Sequence, residues 1–325
     1  VKETGLTFGI YPLSPAGTPV GLAVGPEDDF IKINAALNSL RKNEKKLIPR
    51  NYLVYMGPEK VTSLFLAAER YGHAGLLGDL TVGCMQESPV NLDAWLEFLR
   101  KIIQKYGKQL QSLQITNEPN LSFMEGAKPY VMEVLIEGVK TAKKEALARN
   151  CPIKIGFGSV PDSPAAISAF WEKLGKQGGK SFVEAVDFVG HNFYVDVFEE
   201  PMDLEEIPLA VETTLRNLRD KYLPQAGIHE LVPIRVTENG WPTGKNPFLE
   251  YERTYEHQAQ VLEKVIRTIN NLRQQINITH YELFGLRDAD SSKDDLFHQF
   301  GILKDDYSPK PGFYTFKKLL QELGN

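Results

Sequence analysis

From one end to the other, the chain alternates short apolar, β-branched runs with longer stretches in which apolar residues recur every three or four positions. The first kind reads as strand and the second as helix. Strands are predicted over residues 5–12 (GLTFGIYP), 50–57 (RNYLVYMG), 77–85 (LGDLTVGCM) and 110–118 (LQSLQITNE). Four more follow over 153–160 (IKIGFGSV), 185–194 (AVDFVGHNFY), 231–238 (LVPIRVTE) and 278–286 (ITHYELFGL). The intervening helices are predicted over 28–41, 59–71, a stretch ending at Tyr106, 129–148, a segment opened by Ser163-Pro164, a segment ending near 223, and 251–275. In the third of them Leu92, Trp95, Leu96, Leu99, Ile102, Ile103 and Tyr106 fall on one face, and Asn91 can cap its start. Phe313, Phe316, Leu319, Leu320 and Leu323 do the same in the last helix.

Eight strand–helix units predict an α/β fold, a single (β/α)8 TIM barrel. The strands are apolar and β-branched rather than cleanly alternating, as expected of parallel strands covered on both faces. An open doubly wound sheet would instead place ligand-binding glycines after an early strand. Gly156-Phe157-Gly158 begins such a pattern, but Pro161 stands where its third glycine would be. No linker or shift of composition divides the chain, so residues 1–325 are expected to form one catalytic domain.

Composition narrows the partners. Of 325 residues 42% are hydrophobic, enough for a substantial core, and 37 basic against 42 acidic residues give a net charge of −5. No basic stripe stands out, so nucleic acid is not an expected partner. No apolar run reaches the ~18–20 residues of a membrane span, so no membrane is expected either. No charged segment followed by an apolar one opens the chain, which favours a cytoplasmic protein. The first residue is Val1 rather than Met, so a secreted protein with a trimmed leader stays open, as does the oligomeric state. Cys84 ends a predicted strand and Cys151 begins one, so the two are expected at opposite ends of the barrel and free. The six histidines form no zinc motif, and no phosphate loop or nucleophile elbow occurs. No metal and no cofactor are expected.

In such a barrel the chemistry sits at the C-terminal ends of the strands. Two of those ends carry a glutamate: Glu118 within Thr116-Asn117-Glu118-Pro119-Asn120 on the fourth, and Glu238 within Thr237-Glu238-Asn239-Gly240-Trp241-Pro242 on the seventh. A lone strand-end glutamate is usually a solvated charge. Two of them, each set among polar and aromatic residues, supply what glycoside hydrolysis needs: an acid for the leaving oxygen and a carboxylate to attack or to activate water. Asn192 and Tyr194 end the sixth strand, Tyr11 the first, and Phe284 lies late in the eighth. Arg287 and Asp288 read as an ion pair at the end of the last strand, and the acidic run from Glu199 to Glu206 as solvated surface.

With these motifs the sequence resembles the retaining glycoside hydrolases of clan A, the barrel superfamily with its acid/base after strand 4 and its nucleophile after strand 7. Asn192-Phe193-Tyr194 and the closing stretch from Leu286-Arg287-Asp288 to Ser308-Pro309-Lys310-Pro311 extend the likeness over all eight units. The resemblance implies a retaining O-glycoside hydrolase that cleaves β-linked oligo- or polysaccharides by double displacement. Glu118 would be its acid/base, Glu238 its nucleophile, Asn117 the donor to the sugar 2-hydroxyl and Tyr194 the tyrosine that hydrogen-bonds the nucleophile. Asn192, Trp241, Tyr11 and Phe284 are the further substrate-binding candidates. Asn192-Phe193-Tyr194 and Gly240-Trp241-Pro242 are similar to plant-type endo-β-1,3-glucanases, and the strand-8 ending to other families of the clan, so no one family is assigned. Two departures stand out. Strand 2 ends Tyr55-Met56-Gly57 where many members have an arginine, and Phe284 stands where many have a platform tryptophan. A catalytically silent barrel that binds carbohydrate or a protein partner is the alternative. It need not keep both glutamates, and both are present.

Overall fold

A computed structural model describes residues 5–18, 20–41, 45–246 and 252–325 of the chain. Eight parallel strands close into a barrel: β1 Thr7–Ile10, β2 Leu47–Tyr55, β3 Asp79–Cys84, β4 Ser112–Ile115, β5 Lys154–Phe157, β6 Phe188–Asn192, β7 Ile234–Asn239 and β8 Ile278–Leu283. Each neighbours the strands before and after it in sequence, and β1 pairs with both β2 (Phe8 opposite Leu47) and β8 (Phe8 opposite Tyr281). The helices between them are α1 Phe30–Leu40, α2 Val61–His73, α3 Leu92–Tyr106, α4 Val131–Ala148, α5 Phe170–Val183, α6 Ile207–Arg216, α7 Tyr255–Leu272 and α8 Pro311–Leu323. This is the (β/α)8 barrel expected from the alternating pattern. No helix among the described residues is long and apolar enough to cross a membrane.

The chain divides into two compact units: Arg50–Asn192 with Arg216–Arg235, and Val1–Pro49 with Phe193–Leu215 and Val236–Asn325. In the first, α3 shows how sequence becomes packing. The Asn91 side chain accepts from the Ala94 amide at 3.0 Å, and the helix buries Trp95, Phe98, Leu99, Ile102, Ile103 and Tyr106. Burial of such side chains contributes roughly 1.5–3 kcal/mol each. The strands of this unit enclose a polar network at their N-terminal ends. Arg50 donates to Asp79 (3.2 Å), Gln114 (3.3 Å) and the Tyr52 hydroxyl (2.8 Å), Ser112 donates to Asp79 (2.9 Å), and Arg235 donates to Ser112 (2.7 Å). Arg50 and Asp79 are each 1% exposed, so removing one partner would leave a buried charge at a cost of about 3–5 kcal/mol.

The second unit packs Phe8 of β1 against Tyr281 of β8 and Phe316 of α8, at 6.0 and 5.6 Å between ring centroids. Its buried ion pair joins Asp288 to Lys310 at 2.7 Å, with Gly301 N and Ser291 Oγ donating to the same carboxylate. Arg287 lies 3.5 Å from Asp28 and donates to the carbonyls of Pro26 and Asp305. The expected Arg287–Asp288 pair is therefore replaced by two separate anchors, because adjacent residues on one extended stretch turn their side chains to opposite sides.

Several boundaries differ from the sequence reading; β4 ends at Ile115 rather than at Glu118, and β7 begins at Ile234 rather than at Leu231. Strand β2 begins at Leu47, upstream of Pro49, which pairs with Ile10 of β1. Helix α4 starts at Val131, after Pro129. Helix α5 starts at Phe170 rather than at Ser163-Pro164, because the backbone in between is used elsewhere: Ser122 N donates to Ala165 O and Ile167 N to Asn120 O, each at 2.7 Å. Residue 251, where the seventh helix was expected to begin, lies outside the described residues. Both cysteines are free, as expected.

Candidate active site

In the first unit the chain leaves β4 through Thr116, whose φ of 66° is left-handed. A β-branched residue there is strained and persists only where its surroundings over-determine it. Thr116 is buried, and its carbonyl accepts from Gln114 Nε2 at 3.1 Å. The turn brings out Asn117 and Glu118, both partly exposed. Asn120, two residues on, makes a reciprocal pair with Val160 in the loop after β5, both bonds 2.8 Å. Gly158 has no room for a side chain: a Cβ would run into the Asn117 carbonyl oxygen.

Asn192, at the end of β6, donates from Nδ2 to Asn117 Oδ1 at 3.2 Å and to Glu118 Oε1 at 3.1 Å. The Asn117 oxygen is thereby used as an acceptor, which leaves its NH2 group as the donor. Glu125, which no motif singles out, is buried beside them. Its two carboxylate oxygens accept from the backbone amides of Cys84 and Asn117, each at 2.8 Å. Burial pushes its pKa up to about 7, against the pull of the two amides. His191 is also buried, 2.9 Å from Ser159 Oγ, and burial pushes its pKa down to about 3, so the ring is neutral at ordinary pH.

The second unit holds Glu238 at the end of β7, 8% exposed. Its Oε2 accepts from the Tyr194 hydroxyl at 2.9 Å, a neutral donor that fixes the carboxylate without adding a charge. Asn239 beside it is clamped by Tyr281 OH (2.8 Å) and by its own bond to Phe193 O (2.9 Å). Aromatic rings continue outward from this point. Tyr194 meets Phe300 and Phe198 edge-on at 5.6 and 5.7 Å; Phe300 meets Phe284 at 5.4 Å; Phe284 stacks on Tyr11 at 4.9 Å with the planes 2° apart. Phe198 is 48% exposed and stacks on Phe297 at 6.2 Å.

The expected site residues thus fall into two groups. Asn117, Glu118 and Asn192 are bonded together in one unit; Tyr194 is bonded to Glu238, and Tyr11 is stacked on Phe284, in the other. Trp241 departs from the expectation of a sugar-stacking ring. It is 1% exposed, its indole nitrogen donates to Asp196 (3.1 Å to the carbonyl), and its ring is covered by His257 at 4.8 Å and by the Arg253 guanidinium at 5.1 Å. Its polar edge and apolar faces are both consumed by packing. Phe198, Phe297 and Phe300 instead extend the aromatic run around Tyr194; a phenylalanine in a loop gives no sign in sequence of whether it is core or wall. Among the described residues no group of three or more His, Cys, Asp or Glu is placed to hold a metal.

No family model matches the chain, and no curated protein matches it by sequence. Among the solved structures that share the fold are several named as glycoside-processing enzymes. A β-glucosidase from Thermotoga maritima in complex with noeuromycin aligns with a TM-score of 0.60 at 13% identity, over 99% of this chain and 98% of its own. A family 17 β-1,3-glucanosyltransferase from Rhizomucor miehei aligns at 0.56 and 17% identity, over 94% and 96%. A β-D-glucuronidase from Dictyoglomus thermophilum aligns at 0.58 and 14%, over 98% of this chain but 50% of its own, so the chain spans half the length of that protein. At these identities the likeness establishes the barrel fold.

Proposed function

We propose that the protein is a retaining glycoside hydrolase that cleaves β-linked saccharides through two glutamates. One observation carries this reading: two strand-end carboxylates are each held by a neutral donor from the β6 segment, Asn192 on Glu118 and Tyr194 on Glu238. A solvated charge needs no such partner. A neutral donor on each carboxyl group fixes its aim, which is what a proton donor and a nucleophile both need. The aromatic rings that continue from Tyr194 suit the apolar faces of sugar rings, and the solved structures of like fold carry glycoside-processing names.

In the first step the Glu238 carboxylate attacks the anomeric carbon, the bond to the leaving oxygen breaks, and Glu118 gives that oxygen its proton. In the second, Glu118, now a carboxylate, takes a proton from water as the water attacks the same carbon and Glu238 departs. Asn117, its oxygen engaged by Asn192, offers its NH2 to the sugar 2-hydroxyl. No step calls for a metal or cofactor.

The test compares Glu118→Gln on two leaving groups. A dinitrophenyl glycoside leaves readily as its anion, so its glycosylation step should survive. A sugar leaving group should lose about 10²–10⁴-fold. The glycosyl-enzyme should then accumulate, and azide should release it. Equal loss on both substrates with no azide effect removes the assignment, and a wild-type chain silent on nitrophenyl glycosides and β-glucans favours the non-catalytic barrel.

A further inference from the structure

We propose that Glu125 is a positioning residue: its carboxylate ties the end of β3 to the end of β4 and so holds Asn117-Glu118 in the orientation from which Glu118 transfers its proton. The role rests on Glu118 being the acid/base. Its basis is the pair of 2.8 Å bonds from Cys84 N to Oε1 and from Asn117 N to Oε2. Cys84 is the last residue of β3, and Asn117 directly precedes Glu118.

Three features point to more than the filling of a buried space. Thr116, one residue before the anchored amide, sits at a left-handed φ of 66° that a β-branched side chain disfavours. Such a turn relaxes unless something beyond it is pinned, and Glu125 pins the very next N–H. The anchor itself is built at a cost in backbone freedom. It arrives on the short turn Met124–Ala127, with Met124 at a φ of 55°, and Gly126 is pressed so close beneath Leu121 that a Cβ would collide with the Leu121 carbonyl oxygen. Finally, the choice of a carboxylate is informative. Burial disfavours its charge, yet no neutral side chain of this length offers an acceptor oxygen to each of two amides. Glutamine would satisfy one and turn an NH2 group against the other.

The bridge acts on the side of Glu118 that Asn192 does not hold. Asn192 fixes the carboxyl group from β6; Glu125 fixes the backbone that carries it. Substitution at 125 should therefore mis-aim the acid while leaving Glu238, in the other unit, to attack as before. A misplacement on the scale of 1 Å costs about 10²-fold in rate, and it costs that only where the proton is needed.

The experiment measures kcat/KM, which reports glycosylation, for wild type, Glu125→Gln, Glu125→Asp and Glu118→Gln on a dinitrophenyl glycoside and on an unactivated saccharide with the same glycone. Glu125→Gln should lose about 10²-fold on the saccharide and little on the dinitrophenyl substrate. Glu125→Asp keeps the charge but is one methylene too short to reach both amides. It should show the same selectivity with a smaller loss, and it decides the matter if Glu125→Gln does not fold. Equal loss on both substrates by the folded variants, or no loss on either, overturns the positioning role. If Glu118→Gln is selective while the Glu125 variants are not, only this role falls. If Glu118→Gln is itself not selective, the acid/base assignment falls and takes this role with it.

Discussion

The ends of β4 and β7 both present a glutamate, and they are built from different materials. Around Glu118 the supports are hydrogen bonds: the amides of Asn192 and Asn120, the buried carboxylate of Glu125 and a strained Thr116. Around Glu238 the Tyr194 hydroxyl donates to the carboxylate, and beyond it lies a run of aromatic rings from Tyr11 to Phe297. The contrast matches the two jobs proposed for them. An acid/base changes its protonation twice in a cycle and has to keep its aim through both changes, which directional bonds on side chain and backbone secure. A nucleophile must meet one carbon, and the sugar that carries this carbon is best held by flat apolar surfaces.

The strongest way to break this contrast is at the nucleophile. Glu238→Gln should lower kcat/KM on the order of 10⁴-fold or more whatever the leaving group; a loss confined to poor leaving groups would exchange the two roles. Next comes Tyr194→Phe, which removes one hydrogen bond to a charged, buried group, an interaction of about 1.5–3 kcal/mol. Steady-state kinetics should show a fall of roughly 10–10²-fold on all substrates alike, and an effect confined to unactivated substrates would place Tyr194 on the acid side. Phe198→Ala tests the aromatic run. Loss of one stacking surface worth about 1 kcal/mol should raise KM several-fold for longer oligosaccharides and leave small aryl glycosides unchanged; an equal rise for both would detach Phe198 from the sugar path.

A separate effect is on stability, where the buried groups of the acid/base side act in opposite senses. His191, pushed down to about 3, binds fewer protons folded than unfolded, so the stability it provides above its ordinary 6.5 is lost as pH falls toward 3. Glu125, pushed up to about 7 from its ordinary 4.5, binds more protons folded than unfolded, so its contribution falls as pH rises from 4.5 to 7. Urea unfolding of wild type and Glu125→Gln at pH 5 and pH 7.5 should find the variant gaining on wild type at the higher pH. A difference independent of pH would mean that burial does not raise this carboxyl.

The barrel was legible because periodicity reports burial, and eight strand–helix repeats leave few alternatives. The two glutamates stood out because each was read at the end of a predicted strand; the structure keeps Glu238 within β7 and places Glu118 in the turn after β4, which ends at Ile115. Trp241 was misjudged on position alone: a tryptophan after the nucleophile has the chemistry of a platform, and only the fold shows Asp196, His257 and Arg253 around it. Glu125 was invisible for a different reason. Its partners are two backbone amides, which every residue but proline possesses, so no residue type elsewhere in the chain betrays the contact. The late start of α5 has the same origin, since Ala165 and Ile167 lend backbone groups to the loop after β4.

If both glutamates serve one glycosidic bond by double displacement, the released sugar keeps its anomeric configuration. The direct measurement is the anomeric configuration of the first-released sugar, followed by proton NMR on a β-glycoside substrate before mutarotation sets in. Double displacement releases the β-anomer first, with the α-anomer appearing only later. An α-anomer at the earliest time points would mean a single displacement by water, and would contradict Glu238 as a covalent nucleophile.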